Sequence, residues 1–187
     1  PHRPSSRDEK GIGLLHARVL SADNRELSLA FTPHSDLQEW LLSHYGAEKF
    51  RPGLERVREF LALELAGVRA LNPTIVTIAG TNGKGETAMT LAHYAGLSHT
   101  PYVLWTSPHL LRVTERFQSQ DGEIEVAELR THLEDVRKRA LETQTGLSYY
   151  EILWCAFLRW GLQRGATLWI LGVGLGGRFD AVNLLDA

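Results

Sequence analysis

The chain has 187 residues, with 20 Lys and Arg against 22 Asp and Glu, giving a formal net charge of -2. With 43% apolar and 22% charged residues it has the composition of one globular domain able to bury a core, which excludes wholesale disorder. The near-neutral balance removes the electrostatic basis for nucleic-acid or anionic-membrane binding, and the single Cys155 excludes an internal disulfide.

Arg or Glu interrupts each apolar run before the roughly 18 residues that a membrane helix needs. No Cys/His cluster has zinc spacing, and a lone cysteine fits a reducing, cytoplasmic setting. The start, Pro1-His2-Arg3-Pro4, has neither a signal-peptide apolar stretch nor an initiator Met, so the chain reads as processed, trimmed or excerpted.

Residues 1–34 form an extension of different character. Pro1 to Lys10 is a polar tail, and patchy alternation from Gly13 to Phe31 around Ser21-Ala22-Asp23-Asn24 is a possible hairpin. Ser35 is placed to cap a helix over Asp36 to Tyr45, with Asp36 and Glu39 in its first turn and Gly46 past its end. Leu54, Val57, Leu61, Leu65 and Val68 recur near a period of 3.6, which predicts a second amphipathic helix.

Thr74-Ile75-Val76-Thr77-Ile78-Ala79 then reads as a buried strand. It runs into Gly80-Thr81-Asn82-Gly83-Lys84-Gly85, after which helical spacing resumes to Leu97. Tyr102 to Thr106 is the next strand, followed by a Ser107-Pro108-His109 loop. Val113 to Gln118 and Glu123 to Val126 flank an Asp121-Gly122 turn. A charged helix over Glu128 to Thr143, an apolar helix opened by Ser148 and a strand over Thr167 to Val173 complete the pattern. Strands alternating with helices predict an α/β fold, a P-loop-type, mostly parallel sheet with helices on both faces.

Strand, glycine loop, helix is the context in which a phosphate loop is credible. Glycines let backbone N–H groups turn inward around phosphate oxygens, and the helix N-terminus adds positive potential. Lys84 would reach the β- and γ-phosphates as a point charge. The standard G-x-x-x-x-G-K-[ST] pattern wants glycine at 78 and a hydroxyl at 85, where this chain has Ile78 and Gly85. The alternative is a glycine-rich turn carrying a surface lysine.

Ile78-Ala79-Gly80-Thr81-Asn82-Gly83-Lys84-Gly85 resembles the nucleotide loop of the folylpolyglutamate synthase and dihydrofolate synthase family, part of the Mur ligase superfamily. Ser107-Pro108-His109-Leu110 with Glu115-Arg116 looks like that family's second motif, and Leu147-Ser148-Tyr149-Tyr150-Glu151 is similar to its third. Val173-Gly174-Leu175-Gly176-Gly177-Arg178-Phe179-Asp180-Ala181-Val182-Asn183 resembles its fourth. Gly53-Leu54-Glu55-Arg56-Val57 fits a weaker motif upstream. The resemblance makes residues 35–187 an incomplete, N-terminal part of a Mur-ligase-like ATPase domain. It implies ligation of L-glutamate to dihydropteroate or folate through an acyl phosphate, with ATP and Mg²⁺, small-molecule partners only, and a monomeric protein.

Within that resemblance, Gly80, Thr81, Asn82, Gly83, Lys84, Gly85, Glu86 and Thr87 would hold the nucleotide, with Lys84 the catalytic cation and Asn183 on the nucleotide side. Glu151 is the expected metal-binding carboxylate, although it also completes an S-x-x-E capping box with Ser148. His109 and Arg116 are the expected substrate-binding pair; a solvated histidine and a surface strand charge, with Glu115 pairing to Arg116, are the plainer readings. Asp180 is expected to be structural. Trp154, Trp160 and Trp169 read as core, Cys155 as an inert small hydrophobe, and Arg137-Lys138-Arg139 as a solvated helix end.

Three departures bear on the chemistry. Glu86 stands where the family usually has a metal-binding hydroxyl; a carboxylate there also repels triphosphate, by roughly 4 kcal/mol for unit charges 4 Å apart at an effective dielectric of 20. Gly172 stands where the family usually has Glu. The family's other metal-binding His, its carbamylated lysine and its C-terminal domain would lie past Ala187, so the chain by itself is expected to be inactive. Glu86 and Gly172 favour a non-catalytic nucleotide-binding or regulatory relative; Lys84, Glu151 and the motif order favour the ligase.

Overall fold

A computed structural model describes residues 36–45, 54–174, 177 and 180–185. The hairpin expected between Gly13 and Phe31, the Ser35 cap and the Gly46 stop lie outside the described residues. Helix α1 (Asp36–Ser43) carries Asp36 and Glu39 in its first turn, where they complement the dipole, and buries Leu37 and Leu41. The second amphipathic segment is two helices, α2 (Glu55–Phe60) and α3 (Ala62–Leu71), not one. They meet at Leu61, whose backbone leaves helical geometry while its N–H still reaches Val57 and its carbonyl still serves Leu65. The break therefore preserves the apolar stripe: Val57, Leu61, Leu65 and Val68 are all buried. Asn72 in the left-handed region, followed by Pro73, ends α3.

The strands are β1 (Thr74–Ile78), β2 (Tyr102–Trp105), β3 (Phe117–Ser119), β4 (Gly122–Glu123) and β5 (Leu168–Gly172), in the order β1-β5-β2-β3-β4. Helix α4 (Lys84–Leu97) connects β1 to β2, and α5 (Val126–Thr143) and α6 (Tyr149–Arg164) lead to β5. The sheet is mixed: β1, β5 and β2 are parallel, while β3 and β4 extend it antiparallel. Val113–Arg116, expected as part of a strand, is a 3₁₀ turn, because Glu115 draws the preceding backbone into a loop. β1 also departs from expectation. Among the described residues it pairs only with β5, at the sheet edge, so Thr74 is exposed and Ile75 to Ile78 are half-buried.

Strand alternation sends side chains to two faces. Leu104 and Ile170 pack under Ala88 and Ala92 of α4, whose small side chains let the helix lie close. Val103, Trp105, Trp169 and Leu171 point the other way, onto α6. There Phe157 lies 5.2–5.9 Å, centroid to centroid, from Trp105, Phe117, Trp154, Trp160 and Trp169. Trp154, Trp160 and Trp169 are core residues, and so is Cys155, whose thiol burial pushes well above its ordinary value.

The Arg137-Lys138-Arg139 run is only partly solvated. Arg139 turns inward, donating to both oxygens of buried Glu64 at 2.9 and 3.0 Å and lying 4.4 Å over the Phe60 ring. Arg159 bonds the same carboxylate at 2.9 Å and Asp135 at 2.8 Å, so α3, α5 and α6 share one ion network.

Gly161 of α6 faces the Trp169 indole, and a Cβ there would lie 2.8 Å from its Cη2. Against a fully buried indole this overpacking is expected to cost about 1–3 kcal/mol. Gly161→Ala should accordingly lower the midpoint of denaturant unfolding with an unchanged slope; an unaltered midpoint would mean the indole has room to move.

Candidate functional site

Parallel pairing aligns Ile78 with Gly172 and Trp105 with Leu171, so three strands end together and release three loops at one sheet edge. Ligands of open α/β folds bind at such carboxyl edges. The first loop is Gly80 to Gly83. Gly80 has φ +152° and Gly83 φ +76°, backbone that favours glycine, and Gly83 opens α4 with no side-chain cap on the helix N–H groups. The Lys84 ammonium folds back and donates to the Gly80 carbonyl at 2.6 Å, holding its charge across the loop. Thr81, Asn82, Gly85, Glu86 and Thr87 are exposed around it, and a side chain at Gly85 would meet open space.

The second loop follows β2. Glu115 does not pair with Arg116; its carboxylate accepts the backbone N–H groups of Leu110, Leu111 and Arg112 at 2.7, 3.0 and 2.8 Å. Burial pushes this carboxyl upward, but the three amides outweigh it and hold it below the usual glutamate range. Arg116 is buried rather than a surface charge. Its Nε donates to His109 Nδ1 at 2.8 Å, which assigns that nitrogen as an acceptor, and its guanidinium lies 5.9 Å from the Tyr149 ring centre. His109 is half-buried, not freely solvated.

The third loop follows β5. Asp180 is buried and accepts from the Gly174 N–H at 2.8 Å, the Val182 N–H at 3.0 Å and the Tyr150 hydroxyl at 2.9 Å. Tyr150 also accepts from the Trp105 indole at 3.2 Å; burial, reinforced by Asp180, raises its phenol far above its ordinary value, so it stays a donor. Gly174 is required by packing, since a Cβ would lie 2.7 Å from the Tyr150 ring. Asn183 donates its amide to the Gly177 carbonyl, pinning the turn. At Gly172 a Cβ would press the Trp105 carbonyl at 3.1 Å, so the glycine lets β5 lie close to β2.

Glu151 starts α6 and is buried. The capping box is formed: its Oε2 accepts the Ser148 N–H at 2.7 Å, and Ser148 Oγ accepts the Glu151 N–H. Arg56 of α2 adds three bonds, to Oε1 from Nη1 and Nη2 at 2.8 Å each and to Oε2 from Nη2 at 3.0 Å. Two partners escaped the sequence reading, Arg56 and Tyr150. The first acts across 95 positions and the second across 30, and no local spacing signals either contact. Among the described residues no group of three His, Cys, Asp or Glu is gathered as a metal site.

No family model matches the chain. The dihydrofolate synthase/folylpolyglutamate synthase of Escherichia coli (strain K12) is 36% identical over 156 residues, which cover 82% of this chain and 36% of that protein. The protein of the same name from Buchnera aphidicola subsp. Baizongia pistaciae is 33% identical over 166 residues, 88% of this chain and 37% of that one. Among solved structures, the Yersinia pestis bifunctional folylpolyglutamate synthase/dihydrofolate synthase complexed with AMPPNP and Mn ion superposes with a TM-score of 0.71 at 36% identity. E. coli FolC in complex with DHPP and ADP does so with a TM-score of 0.71 at 33% identity. Each match covers 82% of this chain and 37% of the neighbour, so the chain spans little more than a third of the length of its relatives.

The lowered Glu115 value has a consequence for stability. A carboxylate held below its unfolded value stabilises the fold above that value and loses the effect as pH falls through the folded one. Glu115→Gln should thus melt below the parent chain at neutral pH, with the gap closing as the pH drops through and below the normal glutamate range. A gap that is constant with pH would show that the three amides are not what the charge serves.

Proposed function

This chain belongs to the dihydrofolate synthase/folylpolyglutamate synthase family, and from that premise we propose that it carries the nucleotide-phosphate end of an ATP-dependent ligase joining L-glutamate to dihydropteroate or a folate. A substrate carboxylate oxygen attacks the γ-phosphorus of ATP, ADP leaves, and an acyl phosphate forms. The glutamate amine then attacks the acyl carbon, loses a proton, and expels phosphate as the amide bond closes. Such chemistry asks the protein for position and charge neutralisation more than for covalent help.

One observation carries the reading: Lys84 Nζ lies 2.6 Å from the Gly80 carbonyl, over a glycine turn that opens directly into an uncapped helix. Phosphate oxygens entering the turn would take over that ammonium, and the first N–H groups of α4 would share their charge. Gly80, Thr81, Asn82, Gly83, Gly85 and Thr87 supply backbone to the same turn. His109 and Arg116 are the substrate-side pair in this reading, one loop away, and Asn183 acts on the nucleotide side through the Gly177 turn that it holds. Small-molecule substrates, a monomeric state and a cytoplasmic setting belong to the same proposal. Among the described residues no helix is long and apolar enough to cross a membrane.

Magnesium is the metal this chemistry uses, and Glu86 and Glu151 are the carboxylates proposed for it. The donors present do not fit it as they stand, because both oxygens of Glu151 are engaged by Arg56 and the Ser148 N–H. No step is therefore routed through the ion. Glu86 supports the second reading, a nucleotide-binding relative without catalysis: it is exposed in the first turn of α4, where it satisfies the helix dipole but opposes an incoming polyphosphate.

Titration of MgATP into the chain tests both readings. Lys84→Ala should weaken binding by about 10- to 100-fold, the loss of one charge-assisted contact of roughly 1.5–3 kcal/mol. Glu86→Ser should tighten it several-fold. Unchanged affinity in Lys84→Ala would remove the phosphate-loop assignment, and equal or weaker binding by Glu86→Ser would remove the repulsion argument.

A further inference from the structure

We propose that the Tyr150 hydroxyl is a positioning group for the nucleotide-side loop, tying Asp180 to the end of β2 so that the loops after β2 and β5 respond together. The inference rests on the reading above, in which the loop after β5 lies on the nucleotide side. The bonds form one chain: the Trp105 indole N–H donates to the Tyr150 oxygen at 3.2 Å, and the Tyr150 hydroxyl donates to Asp180 Oδ1 at 2.9 Å. Its direction is fixed by chemistry. An indole can only donate and an ionised carboxylate can only accept, so the hydroxyl must take one bond and give the other. Burial, reinforced by Asp180, keeps the phenol protonated for that task.

One end of the chain is anchored and the other holds the loop. Trp105 is fully buried, with the rings of Phe117, Trp154 and Phe157 centred 5.2–5.5 Å from its own. Thr106, the next residue, bonds the backbone carbonyls of Glu115 and Arg116 at 3.2 and 3.3 Å, which carries the connection to the substrate-side pair. Asp180 accepts the Gly174 N–H at 2.8 Å and gives its own N–H to the Gly177 carbonyl at 2.9 Å, so one residue grips both flanks of the loop. The core does not need the oxygen for its own sake. The indole N–H groups of Trp154 and Trp160 are buried with no partner among the described residues, yet both rings are fully packed. A phenylalanine would also fill the space of the Tyr150 ring. What the hydroxyl adds is a donor aimed at the loop carboxylate.

An NMR titration of the ¹⁵N-labelled 187-residue chain with MgADP tests this. In the parent the Trp105 indole N–H signal, assigned by its loss in Trp105→Phe, should move together with the Lys84 and Gly174 amides. In Tyr150→Phe it should no longer follow the nucleotide, and MgADP should bind about threefold to tenfold more weakly, the worth of one net hydrogen bond. A role in stability alone gives a lower melting midpoint with parent affinity, and that result overturns the proposal. Asp180→Asn, which leaves one acceptor oxygen for donors that now share two, should weaken MgADP in the same way and serves alone if Tyr150→Phe does not fold. Parent affinity in that variant overturns the proposal equally. Movement of the Gly80 to Thr87 amides with a stationary Trp105 indole in the parent overturns the coupling and leaves the nucleotide reading standing. A parent that shows no response from Gly80 to Thr87 overturns that reading and this proposal with it.

Discussion

In-register parallel pairing of β1, β5 and β2 is the constraint from which the site follows. It puts Thr77, Leu171 and Trp105 in one row, so that the three loops leave the sheet side by side although nearly a hundred residues separate β1 from β5. Parallel strands cannot be joined by tight turns, and the crossovers bring α4 to one face and α6 to the other. The aromatic packing around Phe157 makes this arrangement stiff, because close-packed rings leave little room for a strand to slip.

On that edge three carboxylates are used alike. Glu115 gathers the N–H groups of its own loop, Asp180 those of Gly174 and Val182, and Glu151 that of Ser148. Each converts an irregular backbone segment into a fixed one, since buried amides must find acceptors. Two arginines lie against this framework: Arg116 donates to His109 in one loop, and Arg56 pairs with Glu151 near another. Among the described residues Lys84 donates only to a carbonyl, a partner it can exchange for an anion.

Elements with a strong local signature were legible in the residues. The helix after Gly83, the Ser148–Glu151 cap, the tryptophan core and the strand–glycine loop–helix sequence all follow from period, capping chemistry or turn chemistry, and all are present. What was not legible depends on distance. The edge position of β1 depends on which strand lies beside it, and a β-branched run reads the same at a centre or an edge. Glu115 beside Arg116 looks like an ion pair until the loop folds back and offers three N–H groups, a bond set that adjacency cannot reveal. Arg139 looked solvated because the partner that buries it, Glu64, comes from another helix, and Arg56 and Tyr150 were overlooked for the same reason.

The most direct test of the account is an amide-resolved NMR titration of the chain with MgADP. Convergence of the loops on a phosphate predicts the largest shifts at Thr81 to Thr87, with smaller ones at Gly174 and Gly177 across the sheet edge. Shifts confined to other surfaces, or an unperturbed Gly83–Lys84–Gly85 segment at saturating nucleotide, would contradict it.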